Sequence, residues 1–222
     1  MPHTALPFRL PLIPAALLLL SLTCFGQNEK RVLIVFEGSE VAANYARGDA
    51  RQLGMLLGHF SAEVKFRAAD TYTTGEINTA DITFFVGFTK HCEPPQRFLR
   101  DVVATRRQVV WMNTGMESFS RQFDLPEKFG FAFVKFDTLL QFDQVRAGKR
   151  VFTKGEPNLN LVSIVDTKSV EVLATAYSSS TRRESPYMIR NDNFLYIADS
   201  PFASATETDR YIFFADLLHD IL

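Results

Sequence analysis

The sequence predicts an α/β fold of the doubly wound kind: a parallel sheet flanked by helices, an antiparallel β-rich extension and a C-terminal helix. Three observations predict it. Arg31–Gly38 (RVLIVFEG), Asp81–Phe88 (DITFFVGF) and Gln108–Met112 (QVVWM) are almost unbroken apolar runs, as expected of strands buried on both faces. These runs alternate with helical patterns up to about residue 123, a βαβαβ rhythm that calls for parallel strands and right-handed crossovers. Beyond that point short apolar segments are separated by turn residues, the spacing of antiparallel pairs.

Each element has its own local reason. Within Ala42–Phe60, Leu53, Leu56, Leu57 and Phe60 recur at helical spacing, with the helix expected to begin near Arg47 or Asp49. Ala62–Ala68 alternates, Val64 and Phe66 against Glu63, Lys65 and Arg67, and reads as an edge strand with one wet face. Glu76-Ile77-Asn78 fits a short helical turn. Glu93-Pro94-Pro95 opens a helix, because proline is tolerated in a first turn. Phe98, Leu99, Val102 and Val103 give that helix its stripe, and Arg106 and Arg107 suit its C-terminal end. Phe129–Phe136 is a dense aromatic stretch, and the expected later strands are Val145–Thr153, Leu159–Asp166, Val170–Tyr177, Tyr187–Arg190 and Phe194–Ala198. A last helix over Thr206–Leu222 would be capped by Ser204 or Thr206, with Glu207 and Asp209 in its first turn. It would pack on the parallel sheet through Ile212, Ala215, Leu218 and Ile221.

Composition bounds the function. Of 222 residues, 46% are apolar, enough for a full core, and the net charge of −1 leaves no electrostatic footprint for nucleic acid. The 21 phenylalanines are expected chiefly as core filling. Residues 1–26 read as a secretory signal peptide: Arg9, an apolar run over Leu10–Leu22, then Thr23-Cys24-Phe25-Gly26 before polar Gln27-Asn28-Glu29-Lys30. Cleavage after Gly26 is expected. Lipidation of Cys24 is the alternative, disfavoured by Thr23, and the leader or a lipidated Cys24 would be the only membrane attachment. Residues 27–222 then form one exported domain, periplasmic or extracellular. Its single remaining cysteine, Cys92, cannot form an internal disulfide. The ending Asp220-Ile221-Leu222, without a polar tail, suggests a longer protein interrupted there.

Several phrases carry a resemblance. Asn193–Phe202 (NFLYIADSPF), Glu207–Tyr211 and Phe214–Asp220, with Leu57–Phe60, Val110–Asn113 and Phe129–Phe131, resemble the N-terminal region of secreted bacterial polysaccharide-deacetylase-like proteins of the domain-of-unknown-function family 2334. The resemblance implies a flavodoxin-like or class I glutamine-amidotransferase-like fold standing before a deacetylase barrel. It implies a polysaccharide ligand, or a deacetylase domain or protein, as partner. The deacetylase chemistry itself is not carried over. Such enzymes use an Asp pair and a His-x-x-x-His metal motif, whereas the histidines here are His3, His59, His91 and His219, no two of them four apart.

The candidate site is the rim at the carboxyl ends of the parallel strands, formed by Glu37, Gly38, Ser39, Gly87, Thr89, Asn113, Thr114 and Gly115. Glu37-Gly38-Ser39-Glu40 has one glycine, no lysine and two carboxylates, so it is no phosphate loop. Cys92, between His91 and Glu93, reads as an ordinary loop thiol, since adjacent side chains diverge. Asp199, beside Ser200-Pro201, is expected as a turn or cap residue, with a place on the rim as the alternative. His59 and His219 suit helix ends. No catalytic residue, metal or cofactor is expected. The resulting expectation is an exported accessory or glycan-binding domain, non-catalytic, associated with polysaccharide deacetylation in the cell envelope. The alternatives are a degenerate or unrecognised hydrolase on the same rim and a fragment without independent function. The Phe129–Phe136 segment is expected to dock in part on the absent domain.

Overall fold

The computed structural model describes residues 29–38, 42–154, 158–200, 202 and 208–222. The leader, the fate of Cys24, Ser39 and the caps Ser204 and Thr206 lie outside the described residues. The first parallel unit is β1 (Lys30–Phe36), α1 (Ala42–Leu57), β2 (Ala62–Ala68), β3 (Ile82–Val86), α2 (Gln96–Ala104) and β4 (Gln108–Met112). Short 3-10 turns at Ala69–Thr71 and Glu76–Thr79 join β2 to β3. Two short helices follow, α3 (Met116–Gln122) and α4 (Leu125–Phe129). The remainder is β5 (Phe131–Asp137), β6 (Gln144–Ala147), β7 (Arg150–Thr153), β8 (Leu159–Ile164), β9 (Glu171–Ser178), β10 (Arg183–Asn191), β11 (Phe194–Ile197) and α5 (Thr208–Ile221).

Nine strands form one sheet in the order β2-β1-β3-β4-β11-β10-β9-β6-β7, while β5 and β8 make a separate antiparallel pair. β2, β1, β3, β4 and β11 are mutually parallel, which is the 2-1-3-4-5 order of flavodoxin-like sheets. The chain moves outward from β1 to β2, then back across to β3. With right-handed crossovers this reversal puts α1 on one face and the helices after β3 on the other. It also opens a crevice at the carboxyl ends of β1 and β3.

The phenylalanine content is explained on the second face. Phe85 and Trp111 are register partners whose rings lie 4.2 Å apart. Phe98 of α2 and Phe119 of α3 cover them, and Phe119 meets Phe129 of α4 edge-on at 5.8 Å. Phe129 stacks on Phe194 at 4.3 Å, and Phe131 on Tyr196 at 5.9 Å. This chain of rings ties the parallel half to β5, each buried ring stabilising the fold by about 1.5–3 kcal/mol. Phe133 and Phe136 are only half-buried, so the aromatic segment is part core and part surface.

The structure corrects five expectations. α2 begins at Gln96 with Pro95 as its N-cap and ends at Ala104, so Glu93 and Pro94 precede it and Arg106 and Arg107 lie beyond it. α1 begins at Ala42 rather than near Arg47 or Asp49. Val145–Thr153 is a hairpin of two strands, turned at Gly148 with φ of +58°. β11 pairs antiparallel with β10 but also parallel with β4, so it closes the parallel sheet. α5 buries Phe214, Leu217 and Leu218, leaving Ile212 exposed. It packs over the antiparallel part, Phe213 against Phe152 and Asp216 against Arg150, and its end reaches the turn after α1, where His219 faces Phe60. No helix among the described residues is long and apolar enough to cross a membrane.

Candidate functional site

The described rim residues stand at the carboxyl ends of the parallel strands, but Glu37, Gly38 and Thr89 line one cleft, Asn113 and Thr114 another, and Gly87 and Gly115 neither. Glu37 directly follows β1 and is buried. Its carboxylate accepts the backbone N–H groups of Phe88 and Thr89, each at 2.8 Å, and the Thr89 hydroxyl. Glu37 therefore holds the β3–α2 turn in place. Gly87 sits in that turn. A Cβ there would lie 2.5 Å from the Thr114 hydroxyl and 2.7 Å from its carbonyl oxygen, so only glycine lets the two turns touch. Gly115 takes φ of +94° beneath α3 and faces Trp111 and Phe85, a packing position rather than a binding one.

Glu37, Gly38 and Thr89 line an open cleft of 610 Å³ together with Asp70, His91, Cys92 and Glu93. Cys92 is buried there. Burial pushes its thiol well above the ordinary range, and the Glu37 carboxylate, to which the thiol is hydrogen-bonded, raises it further. A thiol so held is the opposite of an activated nucleophile. His91 points to solvent, so thiol, imidazole and acid do not assemble.

Asn113 and Thr114 line a second, more enclosed cleft of 270 Å³ between the tips of the parallel strands and the β5–β8 pair. Asn113 stands at φ of +67°, a left-handed conformation that asparagine tolerates. Its amide nitrogen donates to the Gly87 carbonyl at 3.1 Å, and its oxygen accepts from Asn160 at 3.4 Å. Asn160 also donates to the Ala198 carbonyl at 3.2 Å, which ties β8 to the end of β11. Asp199 and Ser200 follow β11 and are both buried. Lys154, whose side chain is fully buried, reaches Asp199 at 3.0 Å and donates to the Asn158 carbonyl at 2.6 Å. From α1, Asp49 accepts the Ser200 hydroxyl at 2.5 Å. Burial raises the Asp49 carboxyl above the usual range, the Ser200 hydrogen bond works against that, and the nearby Asp199 charge adds to it. Two aromatic walls complete the cleft: Phe88, stacked on Tyr45 at 4.8 Å, and Phe136, with the Lys90 ammonium 5.6 Å from its ring centre.

Asp199 thus joins the cleft wall, the alternative the sequence left open. Asp49, Asn158, Asn160 and Ser200 belong to the same wall, with Lys154 buried behind it against Asp199, and no local motif singles them out. Among the described residues no group of three or more His, Cys, Asp or Glu side chains is placed to hold a metal ion.

No protein-family model matches the sequence, and no curated protein matches it. Solved structures are similar. A ThuA-like protein from Bacteroides uniformis superposes with a TM-score of 0.61 at 11% identity, over 85% of this chain and 90% of that one. A ThuA-like protein from Parabacteroides merdae gives 0.45 at 12% identity, over 76% and 78%. A glutamine amidotransferase from Thermotoga maritima gives 0.49 at 7% identity, over 86% and 85%. At such identities the first of these likenesses speaks for architecture alone, and it agrees with the strand order: the chain has a flavodoxin-type α/β fold of the kind seen in that ThuA-like protein.

Proposed function

We propose that this chain is an exported, non-catalytic carbohydrate-recognition domain and that the end of a polysaccharide occupies the cleft between the parallel strand tips and the β5–β8 pair. The observation that carries the reading is the lining itself. Amide, hydroxyl and carboxylate groups from Asp49, Asn113, Asn158, Asn160 and Ser200 converge between the rings of Phe88 and Phe136. Sugars present that pairing, hydroxyls at the edge and C–H faces for an aromatic wall. The neighbouring thiol is held protonated, which favours binding over nucleophilic turnover. The resemblance of Asn193–Phe202 and its companion phrases to the region preceding deacetylase barrels supports an accessory role in polysaccharide deacetylation in the cell envelope. The leader supports export.

Calorimetric titration with N-acetylglucosamine tetramer and its deacetylated counterpart tests this. At least one tetramer should bind, and Asn158→Ala and Phe136→Ala should each weaken it by about tenfold, with no acetate or shorter sugar released. Absence of binding by both tetramers at millimolar concentration, or release of product, would overturn the reading. Unchanged Trp111 fluorescence would show that the variants remain folded.

A further inference from the structure

A different pocket lies on the other flank of α1, against the edge strand β2. It is an open pocket of 410 Å³, and its charged lining among the described residues consists of three arginines, Arg47 and Arg51 of α1 and Arg67 of β2, without a carboxylate. Arg47 and Arg51 are one turn apart on the same helix face, a like-charge pair that is mildly unfavourable in isolation. Neither has an ion pair to a described carboxylate, although acidic residues slightly outnumber basic ones in the chain. Arg67 is different. Its Nε and one terminal nitrogen are engaged by Glu76 at 2.8–3.1 Å, which fixes the guanidinium in place at the pocket wall.

The rest of the lining is Phe36, Phe66, Ala68 and Thr71, two of the four aromatic. The Arg47 guanidinium lies 5.6 Å from the centre of the Phe36 ring. Phe66, on the alternating edge strand, is 43% exposed and leans on α1 at Gly54. A Cβ on Gly54 would stand 2.5 Å from the Phe66 ring tip. A glycine inside a helix costs about 1 kcal/mol relative to alanine, and here its effect is to seat that ring as a pocket wall. The pocket therefore combines guanidinium groups, which match oxyanions with two parallel hydrogen bonds, with the faces of aromatic rings.

We propose that this pocket binds an oxyanion carried on a saturated ring, the chemistry shared by a uronate and a sugar phosphate. The anion meets Arg47 and Arg51, Arg67 borders it, and the ring lies on Phe66. The site stands on its own residues and does not depend on the reading of the cleft, which lies on the opposite flank of α1.

The test is calorimetric titration of the full exported chain with galacturonate trimer, glucose 6-phosphate, inorganic phosphate and the neutral maltotriose. Galacturonate trimer or glucose 6-phosphate should bind at least about tenfold more tightly than maltotriose, and less tightly as NaCl rises from about 50 to about 300 mM. Which of the two binds identifies the source of the anion. The double variant Arg47→Gln/Arg51→Gln should lose about tenfold or more of that affinity, while Arg106→Gln, exposed and outside the pocket, should lose none. Phe66→Ala should weaken the ring-borne anion and leave inorganic phosphate unaffected. The proposal is overturned if the double variant binds as the parent does, if maltotriose binds as well as the anions, or if inorganic phosphate binds as tightly as both ring-borne anions. Binding of N-acetylglucosamine tetramer by the double variant, measured alongside, separates failure of this site from failure of the cleft.

Discussion

Lys154 shows how much of the cleft rests on single buried groups. Its ammonium is sealed from solvent and held between Asp199 and the Asn158 carbonyl. Both groups make further interactions, so removing the lysine leaves the buried Asp199 carboxylate with less compensation, a loss of up to about 3–5 kcal/mol. Lys154→Met should therefore destabilise the protein by about that amount in urea unfolding, and adding Asp199→Asn should recover a substantial part. A loss within about 0.5 kcal/mol would mean that Asp199 is stabilised by other groups. None of this pairing is legible in the sequence. Glu37, Asn113 and Thr114 could be picked out because strand ends in parallel sheets are where ligands gather. Asp49 and Ser200 meet across 151 positions, Asn113 and Asn160 across 47, and neither partner sits in a motif that names the other. Glu37 was legible as a rim residue but not as the lock of the β3–α2 turn, because that role depends on where the Phe88 and Thr89 amides point.

At the scale of elements, the edge strand β2 packs Ala62, Val64 and Ala68 against the core and is braced on its outer side by charge. Phe66 is partly exposed, whereas Glu76, in the second turn after β2, is buried and ion-paired with Lys65 and Arg67, each at 2.8 Å. Burial by itself disfavours the Glu76 carboxylate, but the hydrogen bonds from Arg67 and Lys65 outweigh it and hold the group below its usual range. The unfolded chain then takes up this proton more readily than the folded one as pH falls. The contribution is complete above the ordinary carboxylate range and disappears as pH drops through the lowered folded value. Glu76→Gln should cost about 1.5 kcal/mol at neutral pH, and the gap to the parent should close in acid. A gap that persists unchanged at low pH would mean that the cost is one of packing, not charge. The same edge shows what periodicity can reveal: alternation marked β2 as a half-wet strand, and unbroken apolar runs marked β1, β3 and β4. It could not reveal that β11 lies parallel to β4, since Asn191-Asp192-Asn193 announces only the hairpin to β10. In α5 the apolar residues Tyr211, Ile212, Phe213, Phe214, Leu217 and Leu218 cover more than one stripe, so spacing alone did not fix which side is buried.

For the whole molecule, the decisive feature is that β11 is shared. It pairs on one side with β4 of the parallel set and on the other with β10 of the antiparallel set. The ring chain from Trp111 through Phe119, Phe129 and Phe194 crosses the same boundary. The cleft is built from both sides of it, with Asn113 and Asp49 from one half and Phe136 and Asn160 from the other. Opening the antiparallel half alone would expose the edge of β11 and uncover Phe194 and Tyr196, which are fully buried. Local opening of that extent is expected to approach the cost of global unfolding. The described residues should accordingly unfold as one cooperative unit. Trp111, the sole tryptophan, lies at the centre of the parallel half and reports its unfolding by fluorescence. Its denaturant midpoint should coincide with that of far-UV circular dichroism, which sees both halves. Hydrogen exchange of peptides from β9 and β10 should give the same opening free energy as peptides from β3 and β4. Exchange of β9 and β10 through a separate, cheaper opening that leaves Trp111 unperturbed would divide the molecule at β11. The cleft would then be an interface between two units, and its ligand would be expected to couple them.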